Sequence, residues 1–148
     1  MTENPASEPA VLQLRLVVEA ADYDAAVRFY RDELGLAEED AFEGDGGARG
    51  IILHAGRATL ELNNSAQKAA IDQVEADGTP SQRIRVAFEV TDAAGKTRQL
   101  VEAGATLIAD PIITPWQSLN SRLNAPELEV TLFQELGGPD GGAALAQR

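Results

Sequence analysis

Two arginines seventy positions apart, Arg15 and Arg85, sit in strands whose residues alternate between apolar and polar, and each points away from the apolar side of its strand. A guanidinium held there is a two-pronged donor for a carboxylate or phosphate. Paired instead with Glu61, Glu19, Glu89 or Glu129, it would close an internal charge network. Glu61 is the candidate catalytic group, a carboxylate base with the arginines as an electrophilic clamp on an enolate-like anion. His54, the one histidine, ends a strand just before Gly56 and is either a base near the cleft or a surface residue. Trp116, in the loop TPWQSLN, either stacks on a ligand with Phe133 or serves core or dimer packing.

The elements that must position these residues can be read from periodicity. Leu12, Leu14, Leu16 and Val18 share one face of a strand, leaving Gln13, Arg15, Val17 and Glu19 on the other. Asp22 caps a helix running to about Leu34, with Ala26, Val27, Phe29, Tyr30 and Leu34 as its apolar stripe and Gly35 as its stop. Strands near 38 to 43, 50 to 55 and 58 to 63 follow, separated by glycine turns, and an amphipathic connector spans Ser65 to Asp77. The order then starts again: Ile84, Val86, Phe88 and Val90 alternate, Asp92 opens a helix ending at Gly104, and strands fall near 105 to 112, 117 to 124 and 127 to 135.

A constant shift of seventy positions pairs Arg15 with Arg85, Glu19 with Glu89, Asp22 with Asp92 and Arg28 with Arg98. It also sets Leu60, Glu61, Leu62 against Val130, Thr131, Leu132. Because identities, strand faces and helix starts coincide, the chain is an internal duplication of one βαβββ module. The expected organisation is an α+β domain over 11–136, with modules at about 11–64 and 82–136 and a linker at 65–81. Residues 1–10 and 137–148 are expected to be mobile.

Composition narrows the partners. A net charge of −12, with 12 Lys and Arg against 24 Asp and Glu, repels a phosphate backbone and supplies no basic stripe, so nucleic acid is not expected. No run is long and apolar enough for a membrane span, and no segment reads as a signal peptide. The absence of cysteine removes disulfides and thiolate chemistry and fits a cytoplasmic protein.

The helix AAVRFYRDELGL (Ala25 to Leu36), with RVAFEVTD (Arg85 to Asp92) and ATLELNN (Ala58 to Asn64), resembles the vicinal oxygen chelate superfamily over about residues 11 to 136. That superfamily includes glyoxalase I, bleomycin-resistance proteins, fosfomycin-resistance enzymes and extradiol dioxygenases. The resemblance implies a U-shaped mixed sheet around a cleft, helices on its outer face, a homodimer and a small-molecule ligand. In metal-dependent members a His in the first strand and a Glu in the last strand of each module hold the metal; here those positions fall on Arg15, Arg85, Glu61 and Thr131. A guanidinium has no free lone pair and stays protonated, so neither metal nor other cofactor is expected. The turn before the last strand reads NAPELEV and lacks the family's usual glycine, so a slip of two residues would put Glu129 in Thr131's place. The expected function is metal-free binding and sequestration of an antibiotic or metabolite. The alternative is a lyase, isomerase or oxygenase-like enzyme using Glu61 with Arg15 and Arg85, or a non-standard metal site.

Overall fold

The structure, a computed structural model, describes residue 10 and residues 12–137. The ends expected to be mobile lie almost wholly outside them. Asp22 caps α1 (Tyr23–Val27) by accepting from the Ala25 amide, and the helix runs on as a π-helical turn over Arg28–Glu33. Leu34 N donates to Phe29 O at 2.8 Å, and Gly35 exits at φ 96. The expected helix is therefore present, with a widened second half.

Next come β1 (Glu38–Glu43), a 3₁₀ turn at Asp45–Gly47 and β2 (Arg49–Leu53), paired antiparallel as a two-stranded sheet. A Cβ at Gly50 would meet the outer edge of the ring of Phe42, its exposed ladder partner, which would have to move aside. The connector forms α2 (Ser65–Ala76), capped by Asn64 and stopped by Asp77 in the left-handed conformation.

The second module is complete. It comprises β3 (Val86–Glu89), α3 (Ala93–Glu102), β4 (Thr106–Ile113), β5 (Ser118–Asn124) and β6 (Glu129–Glu135). Its sheet has the order β3-β6-β5-β4, with β3 and β6 parallel and the other pairs antiparallel. The fold is thus α+β with a mixed sheet. On one face of that sheet Leu123, Val130 and Leu132 pack with Leu100 of α3 and Phe29 of the first helix, Tyr30 and Leu34 flanking them. On the other face α2 crosses β4 and β5. Among the described residues no helix is long and apolar enough to cross a membrane.

The first module departs from expectation. Among the described residues, 12–18 and 58–63 of the segments expected as strands join no ladder, and Leu12, Leu14, Leu16, Val18, Leu60 and Leu62 are exposed. Ala21 N is held by Glu127 Oε1 at 3.0 Å, while α2, which begins directly after Asn64, is fixed to the second module's sheet. Among the described residues no strand pairs with the edge of β2 opposite β1.

Candidate functional site

The centre of the second module's polar face is Thr131, which is buried and accepts a 2.7 Å hydrogen bond from Arg85 Nη1. The ladder places Thr131 beside Ala87 on β3 and Arg122 on β5, so the two-residue slip does not occur. The missing turn glycine is replaced by Glu127, which itself adopts φ 65. Its carboxylate holds Ala21 N, and the adjacent Pro126 carbonyl accepts from the Tyr30 hydroxyl at 2.6 Å. Burial, and then the Glu127 charge, push the Tyr30 hydroxyl well above its ordinary range, keeping it a donor. A strained non-glycine residue thus docks the first helix onto the second module.

Beside Thr131 lies a group that periodicity alone did not single out. Ser118, Asn120 and Arg122 alternate along the polar face of β5, and all three are buried. Arg122 contacts two carboxylates of α2: Nη1 lies 2.6 Å from Asp72 Oδ1 and Nε donates to Glu75 Oε1 at 3.1 Å. Asn120 Nδ2 donates to Glu75 Oε2 at 2.7 Å, and Ser118 Oγ donates to Asn120 Oδ1 at 2.6 Å. Asp72 also accepts from Lys68 Nζ and from the Ser81 amide. Burial alone would raise the Asp72 carboxyl, but hydrogen bonds from Arg122, Lys68 and Ser81 outweigh it and hold the group at about 2. The network anchors α2 across the face that the resemblance implied to be the cleft. Its signal was present in the sequence: Asp72 and Glu75 are spaced i, i+3 on the connector, opposite a charged residue in mid-strand. Two of its neighbouring atoms remain without a hydrogen-bond partner although buried, Arg122 Nη2 and Glu129 Oε2.

Of the remaining expected residues, Arg15, His54 and Glu61 do not meet Arg85 and Thr131. Arg15 is exposed, donates to Gln13 Oε1 at 3.1 Å and lies 3.6 Å from Glu39 Oε2. His54 is also exposed and places Nε2 3.2 Å from Glu39 Oε1, so Glu39 joins two of the candidates. Glu61 accepts from Asn63 Nδ2 at 2.9 Å. The glutamates expected to pair with the arginines do not do so: Arg15 uses Glu39, and Arg85 uses Thr131. Phe133 is half-buried on β6 between Glu89 and Asn120 of the neighbouring strands. Trp116 is half-buried in the turn between Thr114 and Ser118.

The donor chemistry does not fit a divalent metal at the four positions. Arg85 offers only N–H donors, Thr131 already accepts one of them, and Arg15 and Glu61 stand elsewhere. Among the described residues, no group of three or more His, Cys, Asp or Glu could hold a metal ion.

With βαβββ topology and this polar sheet face in place, the chain belongs to the glyoxalase-like domain family, which matches residues 15–127. Among solved structures, a member of the glyoxalase/bleomycin resistance protein/dioxygenase superfamily from Sphaerobacter thermophilus DSM 20745 is similar over 77% of this chain and 89% of that one, with 20% identity and a TM-score of 0.50. TioX from Micromonospora sp. ML1 is similar over 84% of this chain and 98% of its own, with 18% identity and a TM-score of 0.51. At such identities the likeness is one of fold. No curated protein matches the chain.

Proposed function

We propose that the chain is a metal-free small-molecule-binding protein, cytoplasmic and homodimeric, that sequesters an antibiotic or metabolite at the β3–β6 side of the polar face of its second sheet, where Arg85 and Phe133 are half-buried. The observation that carries this reading is the Arg85–Thr131 hydrogen bond at 2.7 Å, which puts a guanidinium donor, with the Thr131 oxygen already accepting from it, where metal-dependent relatives would need free lone pairs. The ligand class this favours is a small carboxylate or phosphate taken by Arg85, with an apolar body against Phe133. Support comes from the same face, where Arg122 Nη2 and Glu129 Oε2 are a buried donor and a buried acceptor without hydrogen-bond partners. The enzymatic alternative has less behind it, because Glu61 lies against Asn63 and neither arginine is bonded to it.

The test is a thermal-shift panel of carboxylates, phosphates and cationic glycopeptides on the wild-type protein and on Arg85→Ala. An anion that stabilises the wild type, loses that effect in the variant and is recovered unchanged supports the reading. Turnover of the bound compound, or stabilisation by cations alone, overturns it.

A further inference from the structure

Arg85, directly before β3, and Glu89, its last residue, carry opposite charges that the protein itself does not match. Arg85 is half-buried and gives Nη1 to Thr131 Oγ1, but it meets no carboxylate. Glu89 is exposed, and among the described residues its carboxylate has neither a hydrogen-bond donor nor a basic partner. Alternation puts residues 85, 87 and 89 on one face of the strand. The ladder identifies that face as the polar one, since Ala87 pairs with Thr131 and Glu89 with Phe133.

Four residues of strand separate the Cα atoms of Arg85 and Glu89 by about 13 Å. By bonding Thr131, the partner of Ala87, the Arg85 guanidinium leans one residue pair towards Glu89. About 7 Å of strand then remains between the level of the guanidinium and that of Glu89, too far for a direct ion pair and short enough for one small molecule to span. Ala87, between them, is exposed and carries only a methyl group, so no side chain of β3 fills the interval. Phe133, beside Glu89 on β6, gives that end of the interval an aromatic wall.

We infer that the ligand of this face is an amino carboxylate, a zwitterion whose carboxylate is taken by Arg85 and whose ammonium is taken by Glu89 across a short carbon linker, with its apolar body against Phe133. The inference rests on the reading of Arg85 as an anion site and adds the second charge. A simple anion must approach against a net charge of −12, and a simple cation must approach a guanidinium; a molecule bearing both charges is opposed by neither at long range. Glu129, two residues from Thr131 on β6, is 7% exposed and accepts from the Gln82 amide, so the carboxylate that an arriving ammonium meets is Glu89.

Three probes share one phenyl ring: phenylalanine carries both charges, 3-phenylpropionate only the carboxylate and phenethylamine only the ammonium. Each is titrated into isotope-labelled protein while the amide shifts of β3 and β6 are followed by NMR. Glu89→Gln removes one charge at constant length, and Arg85→Gln removes the other while keeping a donor for Thr131. Because Glu89 is exposed, its pairing with the ammonium should favour phenylalanine over 3-phenylpropionate by up to about fivefold at low ionic strength, the gap narrowing as salt is added. Glu89→Gln should bring the two ligands level, and Arg85→Gln should abolish the shifts with both. Equal affinities in the wild type, or a preference for phenylalanine that survives Glu89→Gln, overturn the zwitterion and leave the anion site standing. Shifts with neither carboxylate, with phenethylamine alone, or undiminished in Arg85→Gln overturn the anion site itself, and the zwitterion with it.

Discussion

Replacing Arg122 by Met keeps a long apolar stem in place and removes the charge that anchors α2. Its side chain is 1% exposed and those of Glu75 and Asp72 are 0% and 5%, so solvent can replace none of the lost contacts without the helix lifting off. Asp72 would retain Lys68 and the Ser81 amide, and Glu75 would retain Asn120, so neither carboxylate is fully stranded. Breaking a buried pair by removing one partner costs about 3–5 kcal/mol. The surviving contacts place Arg122→Met near the lower end, at about 3 kcal/mol, or a fall in Tm of about 10 °C for a domain of this size. Urea unfolding followed by circular dichroism measures it. Glu75→Gln/Arg122→Met separates an anchor from mere packing: with both charges gone the cost should fall below the sum of the single changes by about 1–2 kcal/mol. A single-variant cost under about 1 kcal/mol, together with additivity in the double variant, would refute the view that this network holds α2 on the sheet.

Part of the acid sensitivity should act through Asp72. Its folded-state value of about 2 lies below the ordinary 3.8, so its stabilisation is fully present above pH 4 and is lost as pH falls towards 2. The amount is about 2 kcal/mol, and Asp72→Asn should flatten the stability curve across that window. Glu127→Gly and Glu127→Ala both lose the bond to Ala21 N, but only glycine relaxes the φ of 65; the alanine variant should be less stable by about 1 kcal/mol in urea titration. Asp92→Ala removes the cap on Gly95 N and should cost about 1 kcal/mol in the same assay. Arg85→Ala frees the Thr131 hydroxyl inside a buried site and should lower Tm by a few degrees while abolishing anion-dependent stabilisation in the thermal-shift panel.

Local chemistry determined a large part of this fold in advance. Alternation, the Asp22 and Asp92 caps, the glycine stops and the seventy-residue shift carry the helices, the β1–β2 hairpin and the whole second module, because each depends on short-range periodicity that the sequence displays directly. The same alternation set Arg85 and Thr131 on one face, and the ladder brings them into contact. Tertiary structure decided what periodicity cannot express. Whether Leu12–Val18 and Ala58–Asn63 sit in a sheet depends on pairing with other segments, and among the described residues neither joins a ladder. Which polar residues share the face of Thr131 depended on where the connector helix lands, and it lands with Asp72 and Glu75 on Arg122. A buried charge can be placed by a strand's pattern, but its partner is chosen by packing across forty-seven residues of chain.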